Sequence, residues 1–139
     1  MKNKAVIISC GDKKLNRKAR AIDLYQGSYF KGQKLWALSV VCLGDVFILS
    51  AKYGLIKSTL HIEPYNIRMG GCGSISVGVL KEQALELDLY SRDVISTCGL
   101  DYKKKLDEIG LVYKSPLDGL GLGYRLKAMK LNRGKWQND

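Results

Sequence analysis

AVIIS (5–9) and DVFILSA (45–51) are continuous apolar runs, followed respectively by Cys10-Gly11 and by Lys52-Tyr53-Gly54. A run that is apolar at every position, rather than at alternate ones, fits a strand covered on both faces, as in a parallel sheet with helices on either side. Between the two lies SYFKGQKLWALSVVC (28–42), with Phe30, Leu35, Leu38 and Val41 at helical spacing behind Ser28 as the expected N-cap. Further on, Ser76 opens a helix expected to reach Tyr90, with Leu80, Ala84 and Leu87 on one face. RDVISTCG (92–99) reads as a third strand, Asp101 to Ile109 as a short helix and LVYKSPL (111–117) as a fourth strand. A last helix is expected from about Leu120 to Leu131. Strands alternating with helices predict one α/β domain over residues 1–139, a three-layer α/β/α sandwich around a four-stranded, mostly parallel sheet.

Composition agrees with a single globular domain. The chain has 139 residues, 46% hydrophobic and 26% charged, which excludes disordered and collagen-like classes and is enough for a core without metal or disulfide staples. No apolar run approaches the ~18 residues of a membrane span. MKNKAVIISC has only about five apolar residues before Gly11, too few for a secretory signal, so a cytoplasmic location is expected. The four cysteines (Cys10, Cys42, Cys72, Cys98) form no C-x-x-C pair, and His61 is the only histidine, so no metal or other cofactor is expected. Cys42 and Cys98 read as buried, reduced thiols.

Charge is uneven. Residues 1–20 hold seven bases and one acid, residues 103–139 nine bases and four acids, and residues 21–102 seven bases and eight acids. The net +10 therefore belongs to the two chain ends and predicts positive surfaces that attract phosphates or polyanions.

In open α/β sheets ligands bind beyond the carboxyl ends of the strands, so the residues following each strand are the candidates. After the first strand, Ser9, Cys10, Gly11 and Lys14 form a candidate anion pocket of backbone N–H groups and an ammonium. It is neither a Walker A loop nor a dinucleotide fingerprint. After the second strand come Ser50, Ala51, Lys52, Tyr53 and Gly54; the small pair lets a ligand approach, and Lys52 and Tyr53 are the polar groups presented. The stretch from Lys52 to Gly73 reads as a long polar connection, and such connections are usually functional or mobile. Within it Pro64 holds Glu63 extended, so its carboxylate is the candidate acid/base or electrostatic residue, and Tyr65 is a candidate for stacking on a base. Gly121, Gly123 and Arg125 at the start of the last helix are a second anion-binding candidate.

Taken in order, SCGDKK, AIDLYQGSYF (21–30), FILSAKYGLI (47–56), IEPYN (62–66), CGLDYKKKL (98–106) and GLGLGYRLKAM (119–129) resemble a bacterial and phage family of uncharacterised domains. Its marks are an S-C-G-x-x-K start, an A-x-x-L-Y segment, an L-S-A-K-[YH]-G-L strand end and an E-P-Y-[DN] loop. That family is similar in fold to the uracil-DNA glycosylase superfamily, and its opening motif is similar to that of the archaeosine synthase core domain. The resemblance implies a nucleobase or nucleotide pocket, with Ser9, Cys10, Lys14, Tyr25, Ser50, Lys52, Tyr53, Glu63, Tyr65 and Tyr102 at the matched polar positions. The chain has no G-Q-D-P-Y and no H-P-S-P segment, so uracil excision from DNA is not the expected reaction.

The expectation is an enzyme acting on a nucleobase-bearing ligand, free or within DNA or RNA, at the N-glycosidic bond or at the base. Glu63 is its best candidate for catalysis, with Lys14 and Lys52 as possible nucleophiles. Tyr25, Tyr53 and Tyr65 are the stacking candidates. The rival is a protein that captures a nucleotide in the same pocket without turnover, and a third reading is a non-specific nucleic-acid binder resting on charge alone. No membrane partner is expected.

Overall fold

The computed structural model describes residues 3–135. Four strands form the main sheet: β1 (Lys4–Ser9), β3 (Val46–Ser50), β4 (Gly54–Lys57) and β6 (Asp93–Ser96), in the order β4-β3-β1-β6. A small antiparallel pair, β2 (Ala19–Arg20) and β5 (His61–Ile62), stands apart. The helices are α1 (Ala21–Leu24), α2 (Ser28–Val40), α3 (Val77–Glu86), α4 (Leu100–Glu108) and α5 (Leu122–Leu131).

β1 pairs in parallel with β3 (Val6 opposite Val46) and with β6 (Ala5 opposite Val94), while β4 returns antiparallel to β3. Alternate residues of each strand enter opposite cores. Val6, Ile8, Val46, Ile48 and Ile95 pack with Phe30, Trp36 and Met129 under α1, α2 and α5. Ala5, Ile7, Phe47, Leu49 and Val94 pack with Leu80, Ala84 and Leu106 under α3 and α4. Both faces of the sheet are covered, which is why residues 5–8 of β1 and 46–49 of β3 are apolar throughout. The expected mixed α/β architecture with a four-stranded, mostly parallel sheet is what the chain forms. Among the described residues no helix is long and apolar enough to cross a membrane.

Four expectations need correction. The fourth strand is not 111–117, which contributes only a bridge between Ile95 and Lys114; Pro116 has no N–H with which to extend it. The strand is instead Gly54–Lys57, inside the stretch read as a polar connection, and Gly54 at φ +80° makes the sharp turn out of β3 possible. The N-cap of α2 is Gly27 rather than Ser28, and the helix buries Phe30, Gln33, Trp36 and Ala37 while Leu35 and Leu38 face solvent. Cys42 is exposed, because α2 ends at Val40 and the chain is already turning toward β3. The helix opened by Ser76 stops at Glu86 rather than Tyr90, where Asp88 takes a left-handed conformation (φ 58°). Ser76 does cap it, accepting from Val79 N at 3.3 Å.

Candidate functional site

The connection after β1 leads to α2 on one face of the sheet, whereas those after β3 and β6 lead to α3 and α4 on the other. The carboxyl end of β1, between its two parallel neighbours, is therefore a topological switch point, where such sheets open a crevice. Ser9 and Cys10 stand there, with Ser50 at the end of β3 and Thr97 just past β6.

Gln33 of α2 fastens this end of the sheet. Its Oε1 accepts from Ser9 N (2.9 Å), Thr97 Oγ1 (2.8 Å) and Ser9 Oγ (3.3 Å), and its Nε2 donates to Ser9 O (3.0 Å). All of these groups are buried. One amide thus satisfies both backbone groups of Ser9 and spans from β1 to the end of β6. The Ser9 hydroxyl is committed to this tie and faces Gln33.

On the β3 side, hydroxyls form a chain. Tyr65 OH lies 2.7 Å from both Ser50 Oγ and Tyr25 OH, and Ser50 Oγ also accepts from Lys52 N (3.2 Å) and Tyr53 N (3.0 Å). Cys10 Sγ is 3.2 Å from Tyr102 OH of α4. Burial pushes the Tyr25, Tyr65 and Tyr102 hydroxyls above the ordinary tyrosine range, and the neighbouring Cys10 adds to it in each case. At neutral pH the cluster therefore offers neutral donors and acceptors.

Tyr65 is also the centre of an aromatic group. Tyr25 and Tyr53 meet it edge-on at centroid distances of 6.4 and 5.6 Å, and Phe30 backs Tyr25 at 4.9 Å. Lys14 Nζ sits 4.4 Å from the Tyr65 centroid and 5.8 Å from that of Tyr25, and also donates to Asp12 O. Lys52 Nζ is 5.2 Å from the Tyr53 centroid. One ammonium group thus rests on the central ring of the cluster and one on the Tyr53 ring, a contact worth about 0.5–1 kcal/mol at exposed sites. Glu63 is at the exposed rim, where its backbone carbonyl accepts from Tyr53 OH at 3.3 Å.

The sequence-predicted residues thus separate into groups. Cys10, Lys14, Tyr25, Ser50, Lys52, Tyr53, Tyr65 and Tyr102 are joined by these contacts, and Glu63 is tethered to them through Tyr53. Gly11 follows Cys10, half-buried, with open space where a Cβ would be. Gly121 and Gly123 lie at the exposed start of α5, beside the end of β6 rather than among the tyrosines. Arg125 is largely occupied: Nε donates to Leu120 O (2.9 Å), and Nη1 reaches Tyr29 OH (3.3 Å) and Cys98 O (3.4 Å). Tyr29 OH in turn donates to Thr97 O at 2.5 Å. The starts of α2 and α5 are in this way tied to the loop that begins α4. All three helices have glycine N-caps (Gly27, Gly121, Gly99) with no side chain on their first N–H groups, which leaves donors for an anion.

Sequence reasoning missed Gln33, Thr97 and Tyr29. The legible signal was Gln33 itself, a polar residue on the stripe of Phe30, Trp36 and Ala37. The cysteines also separate: Cys10 and Cys98 are buried, Cys42 and Cys72 exposed, and burial pushes the Cys98 thiol up to about 12. Iodoacetamide at neutral pH should therefore label Cys42 and Cys72 in the native protein, and Cys10 and Cys98 only after denaturation. Peptide mapping by mass spectrometry that finds rapid native labelling at Cys98 would contradict this packing.

The fold and this strand-end cluster define an α/β protein with a switch-point site rich in tyrosine hydroxyls. A family of unknown function, DUF6884, matches residues 5–131, and the chain belongs to that family. No curated protein matches the chain.

Proposed function

We propose that the strand-end site takes a nucleobase-bearing ligand and that the chain acts on it at the N-glycosidic bond or at the base. The observation that carries this reading is Tyr65. Its hydroxyl is held between Ser50 and Tyr25, and its ring lies beneath the Lys14 ammonium at 4.4 Å. Flat aromatic faces suit a base, neutral hydroxyls suit its polar edge, and Lys14 with the uncapped helix starts suits the attached phosphate. The resemblance of the S-C-G-x-x-K opening and the L-S-A-K-Y-G-L strand end to a family similar in fold to the uracil-DNA glycosylase superfamily implies the same ligand class. In this reading Glu63, carried on the rim beside Tyr53 and Tyr65, stabilises developing positive charge on the sugar or orients water, and Lys14 and Lys52 hold anions or act as nucleophiles.

A second reading, capture without turnover, is favoured by a specific feature. The buried groups of the cluster are hydroxyls and a thiol, while the carboxylate of Glu63 belongs to an exposed residue. Glu63→Gln separates the two. Turnover requires the variant to lose product formation by about a hundredfold or more while it still binds ligand. If wild type and variant bind equally and neither forms product, the protein is a capture module; equal product from both removes Glu63 from catalysis.

A further inference from the structure

The sheet divides the charge of this chain. In the layer built by α1, α2 and α5, residues 28–40 and 122–135 carry seven lysines and arginines and no acid, and α1 adds the single acid Asp23. On the other face, α3 and α4 carry four bases and five acids. α2 and α5 lie close: a Cβ on Gly32 would fall 2.7 Å from Leu126 Cδ2. Trp36 Nε1 donates to Asn132 O at 3.1 Å, and Gly134 N donates to Ser39 Oγ at 2.8 Å. These contacts advance along both helices in the same direction, so the helices run parallel and their outer stripes lie side by side.

Lys34 pairs with Asp23 at 3.6 Å, and Arg125 is engaged as described. Lys31, Lys127, Lys130, Arg133 and Lys135 are exposed and make no ion pair among the described residues. Tyr124, 71% exposed, stands one turn before Lys127 on the same stripe. The cations continue toward the site. Gln26 N donates to Lys13 O and Leu15 N to Leu24 O, so the loop bearing Lys13, Arg17 and Lys18 lies along the approach to α2 and leads to Lys14 over Tyr65.

We propose that the α2–α5 layer binds the sugar-phosphate backbone of a single-stranded nucleic acid and leads one of its bases to the strand-end site. The second half rests on the nucleobase reading of that site; the surface itself does not. The thirteen-residue α2 alone is about 20 Å long at 1.5 Å per residue. The phosphates of one free nucleotide cannot span that length, whereas a strand can. A second copy of the chain would set cations against cations. Exposed Tyr124 beside the cations is the pairing of stacking face and charge that single strands use.

The test is fluorescence anisotropy with a labelled single-stranded DNA of about twenty mixed residues, a length covering one such site. It compares the wild type, a K31E/K127E/K130E variant and a K81E/K104E control on the opposite face, across a salt series. The triple variant should bind at least about tenfold more weakly, with a salt slope shallower by roughly two, at about 0.7 per lost phosphate contact. The control should follow the wild type. All five positions are exposed, and unchanged circular dichroism shows each variant folded. Equal affinity of triple variant and wild type overturns the proposal. So does charge-dependent binding to phosphatidylserine vesicles with none to the oligonucleotide. Tyr65→Phe distinguishes the two ideas: it should weaken oligonucleotide binding far less than the triple variant does and leave the salt slope as in the wild type, while weakening retention or conversion of nucleobase compounds. If no nucleobase compound is ever retained or converted, the site reading fails and the surface stands on the charge-reversal result alone.

Discussion

Gln33→Leu should lower stability by about 2–5 kcal/mol, a large share of the 5–15 kcal/mol that holds a domain of this size together. Leucine nearly fills the volume, so the loss comes from polarity rather than from a cavity. It strands the Ser9 N–H, the Ser9 carbonyl and the Thr97 hydroxyl, all buried and all served by this one amide. Each unsatisfied group costs about 1–3 kcal/mol, and the strand end shifts to recover part of that. Because Ser9 precedes Cys10, the shift reaches the Cys10–Tyr102 contact and the site with it. Urea unfolding is the measurement. A midpoint within error of the wild type would mean that the tie does not hold the end of β1.

The second large effect is alkaline. Cys98 is buried, and its thiol is pushed from an ordinary value near 9 up to about 12 by desolvation; Tyr25, Tyr65 and Tyr102 are pushed above the ordinary tyrosine value near 10 for the same first cause. An acid whose folded pKa is raised stabilises the fold only while it is protonated in both states. Above its unfolded pKa the unfolded chain releases the proton and gains free energy that the folded chain cannot. Each pH step above that point lowers stability by up to about 1.4 kcal/mol per group, until the folded pKa is reached. Loss should therefore begin near pH 9 with Cys98 and steepen above pH 10 as these three tyrosines join it, together with Tyr29, Tyr90 and Tyr113, whose hydroxyls burial also pushes up. Urea midpoints from pH 7 to 11 should be level at first and then fall steeply. Cys98→Ala should remove the earliest part of that fall. A midpoint that stays level to pH 11 would contradict the burial of this cluster.

Much of the fold could be read because residues 5–8 of β1 and 46–49 of β3 are apolar at every position, a pattern that short parallel strands covered on both faces impose. The strand ends follow from the same logic, because Cys10 follows β1, Ser50 ends β3 and the loop with Tyr65 comes after it in the chain. What failed was local. GLIK at 54–57 is too short and too close to β3 to stand out, and its position depends on one glycine turn. In α2 the exposed Leu35 and Leu38 point to the wrong stripe, since leucines outweigh a glutamine in any apolar count. The buried stripe carries Gln33 because the sheet end needs an amide there. The Tyr25–Tyr65–Ser50 chain spans 40 residues of sequence, and no spacing rule reaches that far.

The most direct measurement mixes the purified protein with a nucleotide-metabolite extract, separates protein from solution, denatures it and analyses both fractions by mass spectrometry. The prediction is that a nucleobase-bearing compound disappears from solution. It is either retained on the protein or replaced by a free or altered base, and the change weakens in Tyr65→Phe and Lys14→Ala. Recovery of every nucleobase compound unchanged in solution, with none on the protein, would contradict the nucleobase assignment of this site.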